Sequence, residues 1–249
     1  MGRDFEFREE HELHADVETV WRAISTGPGL DGWYLGSTSV EPALGGDVVT
    51  RMGPVSMEST VIAWDPPHHF AFRGGQDPEG RFQAYEFIVE GRDRGSTVLR
   101  LVASGFLPGD DWEDELEAMT GGSELFFASL VTYVNHFAGR AGTPVTASGP
   151  RVTDWEAAFS VLQERIGLPL TPTPGDVAAV DDPTRGWVDA VVFFSSWHAL
   201  ALRSTDTLYR FVRGFHSGGL IALHNEYDGS VDSENASRSW TDWLQRLES

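Results

Sequence analysis

Two periodicities divide the first part of the chain. Between residues 5 and 13, Phe5, Phe7, His11 and Leu13 alternate with charged positions, which predicts a strand with one wet face. From Val17 the period lengthens. Val17, Val20, Trp21 and Ile24 fall at i, i+3, i+4 and i+7, one apolar stripe of a short helix. Asp16 stands where its carboxylate can cap the first turn, and Glu18 suits the positive end of the helix dipole. Gly27, Pro28 and Gly29 are expected to stop this helix, and Trp33 follows the break.

From Gly45 to Gly105 the pattern is antiparallel. A turn at Gly53-Pro54 sets Val48, Thr50, Met52, Val55, Met57 and Val61 on one face of a hairpin. After the break at Asp65-Pro66-Pro67, a short strand is expected around Phe70 and Phe72, and GGQDPEG reads as a loop. The runs RFQAYEFIVE and STVLRLVAS flank the turn GRDRG. Centred near Asp93, this hairpin sets Glu86 opposite Arg100 on a polar face. The other face gathers Tyr85, Phe87, Val89, Leu99, Leu101 and Ala103, and a face so apolar must be covered. Residues 112 to 138 supply the cover. Leu116, Met119, Phe126, Leu130, Tyr133 and Phe137 recur near heptad spacing on a long amphipathic helix, with a kink or division expected at Gly121-Gly122.

The order of a polar strand, Ala-Asp-x-x-x-Val-Trp, a short break and Gly-Trp resembles the START-like (SRPBCC) superfamily. Within it, the chain is similar to proteins related to the activator of the heat-shock protein 90 ATPase. Ala15, Val20, Trp21, Ile24, Leu30 and Trp33 carry the likeness. The resemblance implies an α+β helix-grip fold over residues 1–140, an antiparallel sheet curled around a long C-terminal helix. It also implies a cavity between sheet and helix, bordered by Trp33, Met57, Tyr85, Phe87, Leu101, Phe126, Leu130 and Tyr133.

Residues 141–150 read as a linker by composition, and residues 151–249 as an α/β C-terminal extension similar to that of larger bacterial members of the family. Trp155, Phe159, Leu162 and Ile166 suggest a helix, and GLPLTPTPGDVAAVDDPTRG a turn-rich crossing. Two strands are expected in WVDAVVFFSSWHALALRS, a short helix from Thr205 to Phe211 and a strand from Gly219 to His224. A closing amphipathic helix carries Ala236, Trp240, Trp243, Leu244 and Leu247. No internal repeat is evident.

Composition narrows the chemistry. A net charge of −20 argues against nucleic acid and against an anionic membrane surface as partners. The chain has no cysteine, and its 18 basic residues are all arginine, which excludes thiol chemistry, thiolate metal sites, disulfides and a Schiff-base lysine. MGRDFEFREE has no apolar run, so no signal peptide is expected, and the chain reads as cytoplasmic.

No catalytic or metal-binding constellation emerges. His11 and His14 fall on opposite faces of a strand, His68 and His69 are adjacent, and His136, His198, His216 and His224 are scattered. Ser123 lacks the G-x-S-x-G frame, and GPGLDG follows a helix, the wrong context for a dinucleotide loop. The acidic run near Asp110 reads as a solvated helix start. The expectation is a binding module for a small apolar or aromatic molecule, as monomer or homodimer, with no cofactor and no metal. A cyclase- or hydrolase-like enzyme using the same cavity and a chaperone-associated interaction protein are the alternatives.

Overall fold

A computed structural model describes residues 2–53, 55–92, 95–108, 112–214 and 218–247, without the side chains of 112–115 and 118. Pro54, Asp93, Asp110 and His216, named above, lie outside the described residues. The chain divides into two compact units, Met1–Ala141 and Gly142–Ser249.

The first unit runs β1 (Arg3–Leu13), α1 (Val17–Ser25), α2 (Gly27–Leu30), β2 (Ser37–Val40), β3 (Asp47–Met52), β4 (Val55–Asp65), β5 (His69–Gly74), β6 (Phe82–Gly91), β7 (Thr97–Leu107) and α3 (Trp112–His136). Its seven strands form one antiparallel sheet in the order β1-β7-β6-β5-β4-β3-β2, so the first strand returns to pair with the last. This is the expected helix-grip arrangement.

Local chemistry explains the entry into the fold. Asp16 Oδ1 accepts the Thr19 N–H at 2.7 Å and caps α1. The Gly-Pro-Gly run does more than stop that helix. Thr26 Oγ1 accepts the Gly29 N–H at 3.1 Å and starts α2, which turns back on α1. A Cβ at Gly29 would lie 2.0 Å from the Arg22 carbonyl oxygen, so the two helices can meet this closely only at a glycine.

The register of the β6–β7 hairpin departs from expectation. Phe87 faces Leu101 and Glu86 faces Val102, while Arg100 stands opposite Ile88. The offset is two residues, which leaves every side chain on its expected face but changes its partner. Glu86 therefore pairs with His69, Oε1 to Nε2, at 2.7 Å. Arg100 donates to Glu10 at 2.6 Å and also to Glu90. Helix α3 is one continuous element, not divided into two at Gly121-Gly122.

The second unit runs β8 (Thr143–Arg151), α4 (Trp155–Arg165), β9 (Val177–Asp182), β10 (Gly186–Ser195), β11 (Ala199–Arg203), β12 (Thr207–Arg213), β13 (Gly219–Glu226) and α5 (Ser233–Gln245). Its sheet is antiparallel throughout, in the order β8-β13-β12-β11-β10-β9. Three expectations need correction. The stretch read as a linker, 141–150, supplies most of β8. That strand is an edge, where Pro144 and Pro150 cost no ladder bond on the open side. The turn-rich crossing contains β9. Residues 205–211, read as a helix, belong mainly to β12, whose Thr207, Leu208, Tyr209, Arg210 and Phe211 are all buried. With both faces covered, the strand shows no alternation.

The wiring of the first unit recurs in the second. A strand and helix lead into an antiparallel meander, a closing helix follows, and the opening strand pairs with the final one. The sequence betrays no repeat because different side chains fill the same places. The second core centres on Tyr209, Phe211, His224, Trp240 and Trp243, with His224 and Trp240 ring centroids 4.3 Å apart.

Candidate functional site

The inner face of the first sheet is a continuous aromatic surface. Across β4, β5 and β6, Trp64, Phe70, Phe72, Tyr85 and Phe87 succeed one another at ring separations of 5.5 to 6.3 Å. Trp21 of α1 meets Trp64 edge-on at 5.2 Å, so the apolar stripe of that helix is buried against the sheet. Helix α3 packs against β1 and β7, where Phe7 and Phe127 stack at 5.8 Å.

The turn after α2 places two aromatic rings into this surface. Trp33 is 1% exposed, and its indole N–H donates to the Ala23 carbonyl oxygen at 2.9 Å. Its ring meets Phe87 edge-on at 6.2 Å. Tyr34 reaches further: its ring lies within 6.4 Å of Phe72, 6.1 Å of Tyr85 and 5.5 Å of Phe126 on α3. Gly32 permits the approach of α3, since a Cβ there would lie 2.4 Å from the Tyr133 ring.

One polar group set interrupts the aromatic surface. Gln83 donates its side-chain amide to the Tyr85 hydroxyl at 2.8 Å, and the Tyr85 and Tyr34 hydroxyls bond to each other. Burial dominates both phenols. It pushes Tyr85 up to about 12 and Tyr34 well above the usual tyrosine value. Both hydroxyls therefore keep their protons at any physiological pH and act as donors rather than bases. Towards the far end of the same face, Phe5, Met52, Met57, Ser59 and Gln83 are each only partly buried, and Gly74 and Gly105 add no side chain.

The residues expected around a cavity separate into groups. Trp33 and Phe87 come together, and Leu101 is Phe87's direct partner across the strands. Tyr85 and Phe126 meet through Tyr34. Leu130 and Tyr133 are buried on α3, and the Tyr133 hydroxyl donates to the Arg140 carbonyl oxygen at 3.3 Å. Met57 stands apart, opposite Thr50 in the β3–β4 pair.

Sequence reasoning missed Tyr34, Phe72 and Gln83. The only signals were the Trp-Tyr pair at 33–34 and the period-two spacing of Gln83 and Tyr85. Also on the inner face, His11 Nε2 lies 2.5 Å from Glu9 Oε2. Among the described residues no cluster of histidine and carboxylate side chains could hold a metal ion, and no helix is long and apolar enough to cross a membrane.

The profile of a family described as polyketide cyclase / dehydrase and lipid transport matches residues 4–135. No curated protein matches the sequence. Among solved structures, protein MLL2253 from Mesorhizobium loti is similar at 22% identity. The match covers 51% of this chain and 95% of that one, with a TM-score of 0.44. The Aha1 dimer from Colwellia psychrerythraea is similar at 18% identity, covering 53% and 96% with a TM-score of 0.44. The di-domain ARO/CYC BexL from the BE-7585A biosynthetic pathway is similar at 14% identity over 96% and 93%, with a TM-score of 0.46. At these scores the likenesses carry no functional weight.

Proposed function

Since the chain belongs to the polyketide cyclase / dehydrase and lipid transport family, within the START-like superfamily, we propose that its first unit binds a small apolar or aromatic molecule on the inner face of the sheet. The observation that supports this reading is the Gln83–Tyr85–Tyr34 hydrogen-bonded set within an otherwise aromatic surface. Ligand sites are typically apolar recesses with a few convergent polar groups that fix orientation. Phenylalanine and leucine would pack at the two tyrosine positions without the cost of desolvating a hydroxyl. The partly exposed row of Phe5, Gln83, Ser59 and Met57 is the entrance, and the rings of Tyr34, Tyr85 and Phe126 form the inner end. The chemistry favours a planar ligand bearing a carbonyl or hydroxyl oxygen. Such an oxygen accepts from a phenol that holds its proton.

The test is titration of the full chain with the neutral fluorophore N-phenyl-1-naphthylamine. One saturable site per chain is expected, lost in Met57→Trp, which fills the entrance, and displaced by planar aromatic ketones. No saturable binding, or binding indifferent to Met57→Trp, overturns the reading.

A further inference from the structure

The second unit has a cleft of its own, bordered by Leu220 and Leu244 of its core. It occupies about 610 Å³ between the end of β8, helix α4 and the end of α5. That volume falls within the range of small-molecule sites, ~300–1,000 Å³. We infer that this cleft binds an amphipathic carboxylic acid, a medium-chain aliphatic or aryl acid, with its apolar body between the helices and its carboxylate on Arg151.

The apolar body has a built surface. Ala157, Ala158 and Val161 line the α4 side, and Leu220, Leu244 and Leu247 line the other. Alanines on a helix that faces leucines leave a gap that neither side spans, which is why the cleft stays open. Trp243, stacked on Phe211, and Trp240, edge-on to the same ring, hold α5 against the sheet and away from α4. Val161 is 42% exposed there, a β-branched side chain facing solvent across the cleft. At the base, β8 and α5 touch: a Cβ on Gly149 would sit 3.3 Å from the Leu244 Cβ.

The mouth is polar and its charges are unequal in their engagement. Arg151 is exposed, paired through its backbone with Gly219, and its guanidinium has no hydrogen-bond or ion-pair partner among the described residues. Asp154 is committed to capping α4, accepting the Ala157 N–H at 3.0 Å. Thr153 adds a hydroxyl between them. In a chain of net charge −20, a cation without a carboxylate partner beside an apolar cleft is the feature that selects an acid over a neutral lipid. The repulsion of the distant acidic residues is screened beyond about 10 Å at ordinary ionic strength.

Calorimetric titration of the full chain with decanoate and, separately, with decanol tests the assignment. One equivalent of decanoate is expected to bind, about tenfold tighter than decanol, the usual scale of one charge-assisted contact. Arg151→Gln should remove that preference and leave decanol binding unchanged. Ala158→Phe, which fills the cleft at a helix face open to solvent, should abolish both without lowering the melting temperature. The site is overturned if decanoate does not saturate, or if neither variant alters it. It is also overturned if Met57→Trp in the first unit removes the binding, because the acid then sits on the other sheet. That last arm keeps the two sites distinguishable.

Discussion

The ring of Tyr34 stands 6.1 Å from that of Tyr85 and nearly perpendicular to it, at 84°, with the two hydroxyls hydrogen-bonded to each other. One residue comes from the turn after α2 and the other from the middle of β6. Their pairing ties the helical entry of the fold to its sheet at the place where the ligand is proposed to sit.

Burial makes this pair a pH-dependent element. Tyr85 is pushed up to about 12, so between the ordinary value of 10.0 and that pH the folded chain holds a proton that the unfolded chain has lost. Stability contributed by the phenol is present below pH 10 and falls as pH rises through that window. Ultraviolet titration at the tyrosinate band should show at least three of the five tyrosines, Tyr34, Tyr85 and the equally buried Tyr209, silent until the alkaline transition, and one fewer after Tyr34→Phe. Normal titration of all five tyrosines in the folded protein would contradict the buried pair.

Trp21 lies in the apolar stripe of α1 and meets both Trp64 and Phe70. Trp21→Ala is expected to destabilise the protein by ~3–5 kcal/mol, the usual cost of deleting a large buried aromatic. Urea denaturation measures it. A midpoint equal to that of the parent chain would mean that the helix is not anchored through this ring.

On the outer face of the sheet, Arg100 reaches Glu10 and Glu90 but not Glu86. Double-mutant cycles should therefore find coupling between Arg100 and Glu90 that fades with added salt, and none between Arg100 and Glu86. Coupling to Glu86 would restore the register in which the two stand opposite.

Glu226 is the clearest acid-range titration in the second unit. Burial raises it to about 7, against the opposing attraction of Arg185 and a hydrogen bond from Thr207. Its ordinary value is 4.5, so between pH 4.5 and 7 the folded chain binds the extra proton. Stability from this group is therefore greatest below pH 4.5 and declines as pH rises to about 7, by up to ~3 kcal/mol. Glu226→Gln should flatten that part of the stability profile measured by thermal melting. An unchanged slope would show that the carboxyl stays ionised throughout.

Much of the first unit was legible in its sequence. Val17, Val20, Trp21 and Ile24 declared a helix, and Phe5, Phe7, His11 and Leu13 declared a strand face. Periodicity alone decides which way a side chain points. For the same reason Tyr85, Phe87 and Leu101 were assigned correctly to the apolar face. A shift of two residues preserves that face, so the pattern could not distinguish Arg100 opposite Glu86 from Arg100 opposite Ile88. Strands buried on both sides carry no alternation, and β12 was hidden by its fully covered faces, Arg210 included. At β8 it was the edge position that let prolines and glycine imitate a linker. Tyr34 stands 51 residues from Tyr85 along the chain and 92 from Phe126, as their numbering shows, yet it touches both. In the first unit local spacing was enough to give most of the elements and their faces, because a period records which way each side chain points. The tertiary structure alone decided the partners across strands, the repeated wiring of the second unit and the polar set at the proposed site. Each depends on contacts between residues far apart in the chain, and no local period records them.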